Sequence, residues 1–179
     1  MEQIICKDSQ NNDIHIYLYS TSVTPVKGIV QIVHGASEHF ARYGVFADFL
    51  NKYGYHVIGC DILGHGLSTP THDYVHFADK KGDQIALESV WLVKNYITEN
   101  FPELPVYLLG HSMGSFIARY LLLKEPAFYN KAVISGTTQT PAMVVIGGST
   151  LCNVIRLFKG PKYVSPMIQK MAIDANPAK

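Results

Sequence analysis

The stretch that decides the fold reads Pro105-Val-Tyr-Leu-Leu-Gly110-His-Ser112-Met-Gly114-Ser-Phe-Ile-Ala-Arg119. It joins a short apolar run to the pattern G-x-S-x-G and then to a mostly apolar pattern with helical spacing. A serine at such a strand-to-helix turn has its hydroxyl exposed and held in one direction. Side chains at Gly110 and Gly114 would collide across so sharp a turn. The stretch therefore predicts a buried strand, a strained turn at Ser112 and a helix.

The composition is that of one globular domain or a large part of one. The 179 residues are 47% hydrophobic and 16% charged, which is enough apolar surface for a substantial core. A net charge of +1 without a basic run argues against nucleic acid as a partner, because nucleic-acid-binding proteins usually carry a concentrated basic patch. No basic segment followed by a long apolar one opens the chain, so we expect no signal peptide and a cytoplasmic protein.

The cysteines and histidines show no pattern of metal ligands. Cys6, Cys60 and Cys152 lie far apart, and an odd number of cysteines suits a reducing compartment, so we expect all three to be packing residues. His72 and His76 are spaced by four residues but lack a nearby third ligand. We predict neither a metal nor a cofactor.

Strands and helices alternate along most of the chain. Six segments have the apolar patterns of strands: 4–7, 14–19, 27–33, 56–60, 106–109 and 131–135. Helical spacing is seen at 83–98, and also after the third strand, where Val45, Phe46, Phe49, Leu50 and Tyr53 form one apolar face. The alternation predicts an α/β fold with a doubly wound, mostly parallel sheet that opens with a hairpin.

Polar residues cluster where three of these strands end, at 34–39, 61–68 and 110–114. In doubly wound sheets, ligands bind at the carboxyl ends of the strands. The three clusters therefore predict one functional site at one edge of the sheet.

The pattern changes after residue 137. Residues 141–158 are apolar, with Gly147 and Gly148 in the middle, and a second amphipathic piece follows at 167–173. Asn153 and Arg156 make the first segment too polar for a confident membrane span. Two interpretations stay open: helices that cover the sheet, or a lid with an apolar inner face over the site.

A resemblance to a known family rests on Ser112, on His34-Gly35 and on Asp61-x-x-Gly-His-Gly-x-Ser68. The chain resembles the monoacylglycerol lipase and lysophospholipase group of the α/β-hydrolase superfamily. Residues 34–39 followed by Arg42-Tyr43 look like the group's His-Gly-x-x-Glu-His loop and downstream Arg-Tyr, and residues 110–114 are similar to its usual turn. The likeness covers residues 4 to 137 well and the later segment only loosely. It implies that 1–137 is the N-terminal part of an α/β-hydrolase core and that 138–179 begins a helical lid.

The resemblance also implies the roles of the site residues. Ser112 is the expected nucleophile toward carboxylic esters, on the turn shaped by Gly110 and Gly114. The backbone N–H groups of Ala36 and Met113 are the expected oxyanion hole. The second donor has an independent reason, because the residue after the serine begins a helix and its N–H lacks an intrahelical partner.

The acid and the histidine that activate a serine follow it along the chain in this fold. No histidine follows His111 in this sequence. We therefore expect the C-terminal strands of the fold to be absent and the chain to be truncated within the lid. His34, His39 and His65 are expected to shape loops, and Asp61 to brace its turn rather than catalyse.

The leading hypothesis is hydrolysis of acyl esters such as monoacylglycerol or lysophospholipid through an acyl-enzyme. A non-catalytic remnant that binds lipid or a partner, or is simply unstable, is the alternative from another class. A thioesterase or acyltransferase using the same turn is a further alternative. The expected partner is a small acyl-ester or lipid substrate, with peripheral membrane contact through the lid as an additional hypothesis; the oligomeric state stays open.

Overall fold

The computed structural model describes residues 1–69, 74–78, 80–160 and 163–171. His72 and residues 172–179, which include the end of the second predicted amphipathic piece, lie outside the described residues. The chain divides into two compact units, Met1–Thr137 and Thr138–Lys179.

The first unit is built on a six-stranded sheet with the order β1-β2-β4-β3-β5-β6. β1 and β2 form an antiparallel hairpin, β2 pairs antiparallel with β4, and β3 to β6 run parallel. The mostly parallel sheet predicted from the sequence is thus confirmed. The strands are β1 Glu2–Lys7, β2 Asp13–Tyr19, β3 Gly28–Val33, β4 Tyr55–Cys60, β5 Val106–His111 and β6 Lys131–Ser135.

The helices follow the predicted positions closely. A 3-10 helix, Phe40–Tyr43, leads into α1 Gly44–Lys52, and the later helices are α2 Gly82–Asn100, α3 Met113–Lys124, α4 Ala142–Lys159 and α5 Pro166–Gln169. Gly54, just after α1, has a φ of 89°, a conformation that glycine adopts without strain.

Alternate residues of the strands fill two separate cores, one on each face of the sheet. On one face, Ile14, Ile29 and Leu108 pack with buried residues of α2 and α3. On the other face, Ile32 and Val57 pack with Ala47 of α1 and with Phe40 and Tyr17. Helices therefore cover both faces, as a doubly wound sheet requires.

The helix predicted here is present as α1, and most of its apolar face is exposed. Of the five residues on that apolar face, Val45, Phe46, Phe49 and Tyr53 are exposed, and Ala47 is the buried residue of the helix. Phe40 fills the core instead, stacked on Tyr17 with ring centroids 5.6 Å apart. A small residue at position 47 lets the helix approach the sheet, so its larger side chains lie along the outer surface.

The second unit contains α4 and α5, and α4 has no buried residue. Its exposed apolar side chains are Met143, Val144, Val145, Ile146, Val154, Leu157 and Phe158. By length and composition alone, with a mean hydropathy of 1.3 over 18 residues, α4 is the one described helix that could cross a membrane. Cys152 on α4 is also exposed, so the prediction that all three cysteines pack is wrong for this one.

Candidate active site

Ser112 occupies a strained turn between β5 and α3. Its φ is 51° and its ψ is −118°, a conformation that non-glycine residues rarely adopt. The Ser112 N–H donates to the Ser135 carbonyl at 2.9 Å, which ties the turn to the end of β6. The next residue, Met113, begins α3. The serine is therefore held between a strand and a helix, in the geometry that the G-x-S-x-G pattern predicted.

The glycines at 110 and 114 allow α3 to approach the sheet closely. A Cβ at Gly110 would lie 2.5 Å from the Gly114 carbonyl oxygen and 2.6 Å from the Ala118 Cβ. A Cβ at Gly114 would collide with the Val33 carbonyl oxygen and lie 2.6 Å from that of His34. Neither collision could be relieved by rotating a flexible side chain. The helix therefore starts directly against the end of β3.

The loop after β3 lies against the serine. Gly110 pairs with Val33 and His111 with Ser135, so β3, β5 and β6 end at the same edge of the sheet. A Cβ at Gly35 would lie 3.1 Å from the Ser112 Cβ. Gly35 is buried, and Ala36 after it is exposed.

Two backbone amides beside Ser112 have no acceptor. Within 1–69, 74–78, 80–160 and 163–171, neither Ala36 nor Met113 donates its N–H to another group. Met113 is the first residue of α3, where the positive end of the helix dipole lies. These are the two amides assigned to an oxyanion hole from the sequence, and their contact with an oxyanion stays a prediction.

Asp61 braces the loop after β4, as predicted. Its buried carboxylate accepts hydrogen bonds from the Tyr17 hydroxyl at 2.8 Å, from the Phe40 N–H at 2.8 Å and from the Leu67 N–H at 2.8 Å. The first two bonds join the loop to β2 and to the 3-10 helix. Asp61 thus organises the backbone of this loop through its three donors.

His34 and His65 are buried, with ring centroids 5.1 Å apart, whereas His39 is exposed. Burial lowers the pKa of both buried imidazoles, because it disfavours the charged form. His34 contacts the Gly35 carbonyl at 2.7 Å and the Ile62 N–H at 3.0 Å, which is the loop-shaping role predicted for it. The Nε2 of His65 is buried and has no hydrogen-bond partner among the described residues.

No imidazole in the described part of the chain is hydrogen-bonded to Ser112. The ring of His111, the neighbouring residue, lies against Gly136, where a Cβ would be 3.3 Å from its Cε1. Ser112 Cβ lies instead against Gly35. The two side chains therefore have different neighbours, as expected of adjacent residues on a turn.

Sequence reasoning missed two polar groups next to the turn. Glu38 accepts hydrogen bonds from the Gly35 N–H at 2.5 Å and the Tyr43 hydroxyl at 2.8 Å. The spacing of Glu38 with Arg42 and Tyr43 was the available signal. The Ser115 hydroxyl, noted only as a tolerated departure, donates to the Ser112 carbonyl at 2.5 Å.

Comparison with known proteins identifies the family. The sequence profile of the serine aminopeptidase S33 family matches residues 24–171. A monoglyceride lipase homolog of Monkeypox virus is 30% identical over 129 residues, which are 72% of this chain and 45% of that protein. A phospholipase of Bacillus subtilis is 34% identical over 90 residues, which are 50% of this chain and 32% of that protein.

A solved structure shows the same fold. A thermostable carboxyl esterase from Bacillus coagulans matches with a TM-score of 0.81 at 26% sequence identity, over 94% of this chain and 55% of that one. The chain spans less than half the length of the two curated relatives. On profile, relatives and fold together, it belongs to the serine aminopeptidase S33 family of α/β-hydrolases.

Proposed function

We propose that this chain carries the nucleophile and the oxyanion-binding amides of a serine ester hydrolase that acts on a small acyl lipid ester. The observation that carries the proposal is the strained Ser112, with Gly35 against its side chain and two unpaired amides beside it. The names of the relatives, a monoglyceride lipase homolog and a phospholipase, support a substrate such as monoacylglycerol or lysophospholipid.

The proposed reaction proceeds through an acyl-enzyme. The Ser112 Oγ attacks the ester carbonyl carbon, and the oxygen of the tetrahedral intermediate accepts hydrogen bonds from the Ala36 and Met113 amides. Collapse expels the alcohol and leaves the acyl group on Ser112, and water then releases the fatty acid. Removing one such donor typically lowers kcat by about 10²–10³.

A non-catalytic role is the second candidate. The serine hydroxyl needs a base to take its proton, and within the described residues no imidazole bonds to Ser112. The edge strand β6 also leaves Val133 58% exposed. A chain of this kind would bind an acyl lipid without turnover.

The experiment is a substrate panel with a matched variant. Purified protein is incubated with a monoacylglycerol, a lysophospholipid and an acyl thioester, and release of fatty acid is measured beside Ser112→Ala. Ester turnover that is lost in the variant supports the proposal. Preference for the thioester would replace the ester hydrolase by a thioesterase, and binding without any turnover would favour the second candidate.

Two further expectations accompany the proposed function. The exposed apolar side chains of α4 lie on a helix whose charged residues, Arg156 and Lys159, are both basic, which supports peripheral contact with an anionic membrane surface. All three cysteines are free thiols, which supports the cytoplasmic location expected from the sequence.

A further inference from the structure

Glu38 is an acceptor held in a fixed position beside the serine. Its carboxylate accepts hydrogen bonds from the Gly35 N–H at 2.5 Å, the Tyr43 hydroxyl at 2.8 Å and the Arg42 guanidinium at 3.0 Å. The side chain of Glu38 is 7% exposed, whereas that of Arg42 is 72% exposed. Burial alone would raise the pKa of Glu38, but the three donors outweigh it and lower the pKa below its usual value. The group therefore stays ionised and accepting at neutral pH.

His34 holds the other side of Gly35. Its Nε2 lies 3.0 Å from the Ile62 N–H, which can only donate, so Nε2 is the acceptor. The proton of the neutral ring is then on Nδ1, which donates to the Gly35 carbonyl at 2.7 Å. One tautomer satisfies both contacts, and full burial prevents the ring from turning to other partners.

These contacts fix the two peptide units that meet at Gly35. The Gly35 carbonyl and the Ala36 N–H belong to one planar trans peptide, so they point in opposite directions. Holding the carbonyl through His34 therefore also sets the direction of the Ala36 N–H. Glu38 holds the N–H of the preceding peptide unit.

The loop needs such restraint because its sequence is permissive. Position 35 favours glycine, since a Cβ there would lie 3.1 Å from the Ser112 Cβ and 2.9 Å from the Glu38 Oε1. Glycine is the residue with the greatest backbone freedom. Ser37, two residues later, has a φ of 58°, which residues other than glycine adopt uncommonly.

We propose that Glu38 and His34 are positioning residues that hold the Gly35–Ala36 peptide with its N–H directed toward the oxyanion site beside Ser112. This inference rests on the proposed function for its catalytic meaning. Neither side chain touches the reacting atoms in this role. Loss of the Glu38 carboxylate leaves the Gly35 N–H unpaired and the preceding peptide unit free to turn, although His34 still contacts the Gly35 carbonyl. The joint at Gly35 that orients the Ala36 N–H is thereby loosened. The effect falls on kcat rather than on KM, because an oxyanion amide acts in the transition state.

Kinetics of three variants test the proposal. Glu38→Ala removes the acceptor, Glu38→Gln keeps an oxygen at the Oε1 position, where both Gly35 and Tyr43 donate, and Asp13→Ala removes an exposed acid paired with Lys7. Glu38→Ala is expected to lower kcat roughly tenfold to a hundredfold with KM unchanged. Glu38→Gln should stay within about threefold of the parent in kcat, because its amide oxygen still accepts from Gly35 and Tyr43. Asp13→Ala should stay within the same range, because removal of the exposed Asp13 pair changes little. A Glu38→Gln variant as impaired as Glu38→Ala, or a change confined to KM, would overturn the assignment.

Nuclear magnetic resonance provides a second measurement, which does not depend on turnover. In the unmodified protein, the His34 ring should carry its proton on Nδ1, and the backbone order parameter of Ala36 should be about 0.85. In Glu38→Ala that order parameter should fall below about 0.6, while residues of α3 stay rigid. An Nε2-protonated His34, or an equally rigid Ala36 in the variant, would overturn the inference.

If the unmodified protein hydrolyses nothing, the proposed function fails, and the resonance data still decide whether the two side chains restrain this peptide. If Glu38→Ala does not fold, the His34 tautomer in the unmodified protein decides.

Discussion

Gly114 is the residue at which the start of α3 is packed most tightly against β3. Its replacement by alanine would drive a Cβ into the carbonyl oxygens of Val33 and His34, which are backbone atoms and cannot rotate away. We expect Gly114→Ala to lower the free energy of unfolding by roughly 3 kcal/mol, at the upper end of overpacking effects. Urea unfolding followed by the fluorescence of Trp91, the single tryptophan, measures the change in the first unit.

Gly147 is the matched control, because a Cβ there meets nothing within 4 Å. Gly147→Ala lies inside α4, where alanine is favoured over glycine by roughly 0.5–1 kcal/mol, and it should leave the Trp91 transition unchanged. Equal unfolding midpoints for Gly114→Ala and the parent would contradict the packing described for this turn.

The bracing role of Asp61 predicts that its loss costs more stability than the loss of the exposed Asp13. Asp61→Ala leaves the Tyr17 hydroxyl and the N–H groups of Phe40 and Leu67 without their acceptor in a buried site. An unsatisfied buried donor typically costs about 1–3 kcal/mol, so we expect a total loss above about 3 kcal/mol. Asp13→Ala, which removes an exposed ion pair with Lys7, should change stability by less than about 1 kcal/mol. Similar losses for the two variants in the same urea titration would refute the bracing role.

Local sequence patterns predicted the roles of some of these residues but not of others. The turn at Ser112 was predicted from five consecutive residues. The bracing role of Asp61 was predicted from the preference of aspartate for backbone N–H groups in loops. Glu38 was not assigned a role, because its partners Gly35 and Tyr43 come together only when the loop after β3 closes on the 3-10 helix. Hydrogen bonds of that kind depend on the folded loop and not on spacing alone.

Among the elements, α1 shows the limit of periodicity. Its apolar spacing correctly predicted a helix that ends before Gly54, but its large side chains are exposed. The core on that face is filled by Phe40 from the preceding 3-10 helix, and α1 contributes the buried Ala47 with the half-buried Leu50. A hydrophobic pattern identifies a helix with an apolar face, while the space left by neighbouring elements decides which face is buried.

The apolar surface of α4 leads to a prediction about membranes. Leu157 and Phe158 are 81% and 78% exposed, next to the basic Arg156 and Lys159. We expect the protein to sediment with vesicles containing anionic phospholipid, and the double variant Leu157→Ser with Phe158→Ser to lower the bound fraction at least about fivefold, because each lost apolar group weakens interfacial binding. Phe49→Ser on α1 is the control for an exposed aromatic residue and should bind as the parent does. Undiminished binding of the double variant would rule out α4 as the contact.

For the whole molecule, the buried histidines predict the direction of acid sensitivity. Burial holds the pKa of His34 and His65 below the usual 6.5, so between the folded and unfolded pKa values the unfolded chain binds more protons. Stability should therefore decrease as the pH falls below about 6.5, by up to about 1.4 kcal/mol per pH unit for each histidine. Urea unfolding between pH 7.5 and 5 measures this slope, and His34→Asn should reduce it. A flat profile over that range would contradict neutral, buried imidazoles.

The architecture was predictable where one local pattern implied one element. Alternation of strands and helices indicated a doubly wound sheet, and the polar clusters at three strand ends predicted the edge at which the candidate site lies. The antiparallel pairing of β2 with β4 was not specified in advance, because strand order depends on long-range contacts rather than on the residues of either strand.

The measurement that tests the central claim most directly is covalent labelling of Ser112 by a fluorophosphonate ester, followed by mass spectrometry of the peptide that contains residues 110–119. The account predicts one phosphonyl adduct on Ser112, none on Ser115, and no adduct in Ser112→Ala. Failure of the folded, unmodified protein to form an adduct at Ser112, or equal labelling of Ser112→Ala, would contradict Ser112 as an activated nucleophile.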